Sequence, residues 1–119
     1  MSDSVLAKKQ KVKHPDESLL YAVDFGELLQ AGETIDTVDA VASTPTGELT
    51  ISDQAPNTST LQDDEGNTIA VREAVQLRVA GGVAGTDYRI EVTVTTVFGE
   101  EEGNTRVGVL SMQVDDGSV

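Results

Sequence analysis

Neither cysteine nor tryptophan occurs in these 119 residues, and histidine occurs once, as His14. Without cysteine there is no disulfide framework, no thiolate nucleophile and no Cys-based zinc or iron–sulfur site. A single histidine leaves no room for a His-rich metal centre or a Ser-His-Asp relay within one chain. No run approaches 18 apolar residues, so no membrane-spanning helix is expected. The opening MSDSVLAKKQKVK has no apolar core of signal-peptide length, and Ser2 excludes N-myristoylation. Positive charge is scarce as well: eight Lys and Arg face 21 Asp and Glu, a net of −13.

The few positive charges are unevenly placed. All four lysines, Lys8, Lys9, Lys11 and Lys13, lie in one six-residue window, so residues 1–14 carry +3 after Asp3 is subtracted. Residues 15–119 hold four arginines against 20 carboxylates, a net of −16. A body of that sign repels phosphate, which makes nucleic acid and anionic membranes poor partners. Leu, Ile, Val and Phe make up about 26% of the chain, above the ~20% below which disorder is the rule. The length suits one domain. The expected organisation is an extended or flexible basic arm over 1–14, closed by His14-Pro15, and one acidic domain over 15–119. Proline biases its predecessor toward extended backbone, which fits the arm.

Thirteen threonines and sixteen valines favour β structure. Leu19, Tyr21, Val23 and Phe25 alternate with polar or small residues, the period of a half-buried strand. GELLQAG is too short for a helix and predicts one turn that packs Leu28 and Leu29 on the core. A strand follows over about 34–43, with a bulge near Asp39. Leu49-Thr50-Ile51 predicts a short strand stopped by Ser52–Asn57. Asp63–Asn67 predicts a hairpin tip. Val75, Leu77 and Val79 form the next strand, and Gly81-Gly82-Val83-Ala84-Gly85 the turn after it. A strand through Tyr88, Ile90, Val92 and Val94 runs to Phe98, a loop spans Gly99–Asn104, and the last strand runs from Thr105 to Val114. In that last strand the apolar parity changes after Val109, which predicts a bulge at Gly108. Six to eight strands with frequent turns suggest an all-β, immunoglobulin-like sandwich, although the Cys…Trp…Cys marker of antibody domains is absent.

Chemistry-bearing clusters are few. Asp63-Asp64-Glu65 and Glu100-Glu101-Glu102 fall at expected loop tips, where water keeps carboxylates from the raised pKa that general acid catalysis needs. No enzyme activity, catalytic residue or cofactor is therefore expected. DDEGN lacks the ligand spacing of an EF-hand, so the acidic tips read as solubilising rather than calcium-binding. Tyr21, Phe25, Tyr88 and Phe98 lie on apolar parities and are expected in the core, which leaves no aromatic platform for sugar. The candidate partner-binding residues are Lys8, Lys9, Lys11, Lys13, His14 and Pro15, because a basic tether is attracted to acidic neighbours. Gly81, Gly82 and Gly85 are the candidate structural turn.

Two blocks carry a family resemblance. HPDESLLYAVDFGELLQAGETI, through Pro15-Asp16, Tyr21, Asp24-Phe25, Leu28-Leu29 and Gly32-Glu33-Thr34-Ile35, resembles the opening of small virion proteins of tailed bacteriophages. AGGVAGTDYRIEVTVTTVFG is similar to the same proteins at Gly81, Gly82, Ala84, Gly85, Thr86, Tyr88, Val94, Thr95, Thr96 and Gly99. Phe25 and Leu29 stand where that family carries tryptophans, and Leu61–Ala74 looks like an insertion. The resemblance implies an immunoglobulin-like, non-enzymatic module of the tail–fibre adaptor or head–tail accessory type. Its implied partners are other virion proteins: a head–tail connector, a tail fibre or a capsid protein. It also implies many copies in a symmetric particle, made in the bacterial host cytoplasm. Two other readings are a head decoration protein gripping the major capsid protein, and an extracellular carbohydrate- or calcium-binding module.

Overall fold

Alternating apolar and polar residues dictate strands through nearly the whole chain, and a computed structural model describes residues 11–63 and 65–116 as nine of them, with no helix among the described residues. The strands are β1 (Lys11–Lys13), β2 (Ser18–Asp24), β3 (Glu33–Thr44), β4 (Leu49–Pro56), β5 (Leu61–Gln62), β6 (Thr68–Ile69), β7 (Ala74–Gly81), β8 (Thr86–Phe98) and β9 (Glu101–Val114). One sheet has the order β1-β9-β8-β3, a second β2-β7-β4, and β5-β6 is a separate hairpin. All pairings are antiparallel except β1 on β9.

Both larger sheets give their inward residues to one core. Val23, Val75, Leu77 and Val79 come from the three-stranded sheet, and Ile35, Tyr88, Ile90, Val92, Val94, Leu110, Met112 and Val114 from the four-stranded one. Phe25 is fully buried just after β2. Its carbonyl accepts from the amides of Leu28 and Leu29 in the expected turn. The bulge near Asp39 is present, since pairing with β8 skips from Val38 to Ala40. The acidic hairpin tip is present too, with Asp63 Oδ1 accepting from the amides of Glu65 and Asn67.

Four expectations are corrected. Strand β4 does not stop at Ile51. It passes through an irregularity between Ser52 and Ala55 and pairs with β7 as far as Pro56. The loop over Gly99–Asn104 shrinks to a tight turn, because Glu101 and Glu102 already pair with Phe98 and Val97. Gly108 is not a bulge: it pairs in register with Val92, and the slip lies instead between Thr95 and Val97. The parity of β9 never changes, as Gly108, Leu110, Met112 and Val114 all face the core, and Val107 and Val109 face outward. Lastly, the basic segment does not end at His14, because Lys11–Lys13 is strand β1 of the four-stranded sheet. Residues 1–10, with Lys8 and Lys9, lie outside the described residues.

Candidate interaction surface

Of the lysines expected to reach a partner, Lys13 is fully buried. It sits on the inward parity of β1 opposite Val114, and its Nζ donates to the carbonyls of Gly81 (2.6 Å) and His14 (2.7 Å). Burial holds its pKa below the ordinary lysine value, against the opposing pull of Glu17 and Asp16. His14 is a turn residue: its carbonyl accepts from the amide of Glu17, and its Nδ1 accepts from the amide of Asp16 at 3.0 Å. Pro15 lies inside that turn. Lys13 thus anchors the chain to the sheet and is turned away from any partner, while Lys11 on the same strand and His14 and Pro15 in the turn after it are only half-buried.

The glycine turn is the second half of this anchor. Gly81 supplies the carbonyl that Lys13 holds, and the amide of Gly82 donates to the carbonyl of Glu48 at 2.9 Å. Tyr88 closes the turn, donating to Glu48 Oε1 (2.6 Å) and accepting from the amide of Val83 (2.8 Å). Gly82 and Gly85 have φ of 100° and 86°, a region that costs a side-chain-bearing residue roughly 1–3 kcal/mol. A Cβ on Gly82 would also lie 2.7 Å from Val114 Cγ2 and 3.1 Å from Leu49 Cδ2, whereas one on Gly85 meets nothing within 4 Å. Gly85→Val is therefore expected to cost about 1 kcal/mol and Gly82→Val clearly more, read as the difference between their urea unfolding midpoints. Equal losses would count against packing as the second term at Gly82.

A buried carboxylate does exist, and it is not poised for catalysis. Glu33 is buried at the start of β3. Arg106 of β9 donates to both its oxygens, Nε to Oε2 (3.2 Å) and Nη2 to Oε1 (3.0 Å). The Gln30 amide, the Thr96 hydroxyl and Asn104 Nδ2 complete the shell. Burial pushes the Glu33 pKa up, but Arg106 and the other donors outweigh it and hold the group at about 2. It is an anion fixed in place. Sequence reasoning missed it because Glu33 and Arg106 are 73 residues apart. Among the described residues no group of three His, Cys, Asp or Glu side chains is placed to hold a metal ion.

Two rows on the outward face of the four-stranded sheet carry no charge. Pairing aligns Val107 with Thr93 and Ala40, and Thr105 with Thr95 and Thr37. These two rows hold no ionised group. Asp39, at the bulge beside them, takes hydroxyl donors from Thr37 (3.0 Å) and Thr95 (2.5 Å). In the next row Glu91 is paired with its neighbour Arg89. Val12, Val107 and Val109, three of the exposed large apolar residues, all lie on this face of β1 and β9, with exposures of 62%, 49% and 38%. An uncharged, partly apolar area on a body of net −16 is the surface most suited to a protein neighbour.

Residues 13–107 match the family model described as Podophage GP4 fiber-tail adaptor protein gp77. No curated protein and no solved structure matches the chain.

Proposed function

The chain belongs to the podophage fibre-tail adaptor family, and from that premise we propose that it is a non-enzymatic β-sandwich spacer of the virion, binding its neighbours through the outward face of the four-stranded sheet and through residues 1–10. The observation that carries this reading is the outward face with Val107 and Val109 exposed, where the two rows through Thr105 and Val107 hold no ionised group. The strand division supports an immunoglobulin-like sandwich. Strands β2, β7 and β4 correspond to B, E and D of that fold, and β3, β8 and β9 to C, F and G, with β1 added beside β9. A repeated module with a −16 body repels its own copies at long range, so attachment needs uncharged or basic contacts. Lys8 and Lys9 supply the second kind. Many copies then compensate for weak single contacts.

Deletion of residues 1–10 tests the tether. The shortened protein should melt as the full chain does and fail to enter particles, measured by mass spectrometry of purified virions. Deletion through His14 is a different experiment, because it removes β1 and the Lys13 bonds; it should lower the melting temperature outright. Normal incorporation of the 1–10 deletion would remove the tether from this reading.

A further inference from the structure

Strand β1 is only three residues long, yet it is tied to both sheets. Its backbone lies parallel on β9, with Lys11, Val12 and Lys13 beside Met112, Gln113 and Val114. The Lys13 carbonyl accepts from the amide of Asp115 at 2.8 Å. The Lys13 side chain leaves that sheet and crosses to the other, where Nζ donates to the carbonyl of Gly81 at the end of β7. The receiving side is fixed in turn: the amide of Gly82 donates to the carbonyl of Glu48, and that of Gly85 to the carbonyl of Val114. Burying an amine costs free energy that an apolar side chain of similar length would not. Lysine supplies what packing does not, bonds with a direction.

Direction matters because of how the two strands run. They are parallel, so the chain enters β1 at Lys11, beside Met112, and leaves β9 beyond Val114, further along the same axis. Opposed pulls on these two points slide β1 against β9. Inter-strand bonds lie across the strand axis, and a side chain stands roughly perpendicular to its sheet. The backbone bonds and the two Lys13 Nζ bonds therefore lie across the pull and must fail together. An antiparallel β1 would present its two loaded ends side by side and peel, one bond at a time.

We infer that the β1–β9 joint, cross-linked to β7 by Lys13, is a tension-bearing coupling that passes load from the N-terminal side of the module into both sheets. Its use rests on the adaptor reading, because the two proposed attachments meet at this joint. Residues 1–10 lead into β1, and the face bearing Val107 and Val109 belongs to β9. Three residues of ladder alone would make a weak link between them. Lys13 widens that link to the second sheet.

Single-molecule force spectroscopy on the full chain tests the coupling by pulling along two axes. Handles fused to the two ends load β1 against β9. Cysteines introduced by Thr46→Cys and Glu100→Cys, at exposed turn positions, give an axis that bypasses β1; the chain has no cysteine of its own to interfere. Lys13→Met keeps the length of the side chain and removes its bonds. Forced unfolding follows the barrier on the loaded path rather than equilibrium stability, so the unfolding force between the ends should fall by about half in Lys13→Met. Between positions 46 and 100 it should change little. Asp115→Pro removes the N–H held by the Lys13 carbonyl and leaves the buried amine in place. It should give a smaller loss with the same dependence on axis, and it keeps the test decisive if Lys13→Met does not fold. Equal losses along both axes would make Lys13 a general stabiliser and overturn the inference, as would no loss between the ends. No particle enters this measurement, so the coupling can fail while the adaptor reading stands.

Discussion

Glu33→Ala should lower the unfolding free energy by about 3–5 kcal/mol, the cost of stranding one member of a buried ion pair. The substitution leaves Arg106 facing an emptied site and removes the acceptor for the Gln30 amide, the Thr96 hydroxyl and Asn104 Nδ2. The Arg106 side chain retains 27% exposure, so water can recover part of its solvation, and the loss should fall toward the lower end. Glu33→Gln keeps the shape and an acceptor oxygen but gives up the charge; about 1.5–3 kcal/mol is expected, the worth of hydrogen bonds to a charged group. The same network predicts a pH dependence. The pKa of Glu33 is lowered in the folded protein, from an ordinary 4.5 to about 2. The unfolded chain therefore binds the proton first as pH falls, and the contribution of Glu33 is complete above about pH 4.5 and lost as pH drops through 2. The other carboxylates titrate in both proteins, so the gap in unfolding free energy between wild type and Glu33→Gln isolates this group. The gap should be constant from pH 7 to 5 and close below it, measured by urea titration at each pH. A gap that persists unchanged to pH 2 would falsify the assignment.

Gly108→Ala should cost about 1–3 kcal/mol, from overpacking rather than backbone strain. A Cβ built at Gly108 lies 2.7 Å from Cζ of Phe25 and 3.0 Å from both Cε atoms. The end of the ring points at this spot on β9. The ring has little freedom to withdraw. Phe25 is fully buried, its amide donates to the carbonyl of Glu73, and its carbonyl is held by Leu28 and Leu29. The partner substitution supplies the control. Phe25→Leu shortens the side chain and costs stability itself, but on that background Gly108→Ala should be nearly free. The coupling between the two sites should then be on the order of 1 kcal/mol or more, as for residues in direct contact, read from the four melting curves of the double-mutant cycle. Additive losses would mean that the ring is not what excludes a side chain at Gly108.

These two sites also mark what could be foreseen. The alternation of Leu19, Tyr21, Val23 and Phe25 and of Tyr88, Ile90, Val92 and Val94 depends on neighbours two residues apart, so the strands and their buried faces are legible along the chain. The turn at Gly81–Gly85 and the hairpin tip at Asp63–Asn67 are legible for the same reason, since turn chemistry is local. Gly108 was visible but misread. Its position between two parities suggested a bulge, whereas its cause is an aromatic ring more than 80 residues earlier in the chain. Lys13 was misread in the opposite direction. A lysine in a basic run reads as solvated, and its burial is made tolerable by the carbonyls of His14 next to it and of Gly81, 68 residues away.

The proposed interaction surface divides in the same way. Charge content alone separates a basic beginning from an acidic body, because a sum over residues needs no fold. Its consequence, the exclusion of phosphate partners from the body, follows from Coulomb repulsion. Composition and period likewise determine an all-β chain of many short strands. The tertiary structure decided that Lys11–Lys13, at the end of the basic segment, lie inside the sheet, because β1 found β9. It decided that one carboxylate among the described residues is buried, because β3 and β9 bring Glu33 to Arg106. It also gathered Thr37, Ala40, Thr93, Thr95, Thr105 and Val107 into two adjacent rows of one outward face. Each of these depends on which strand lies beside which, and pairing across long loops leaves no mark on the residues near each partner in the chain.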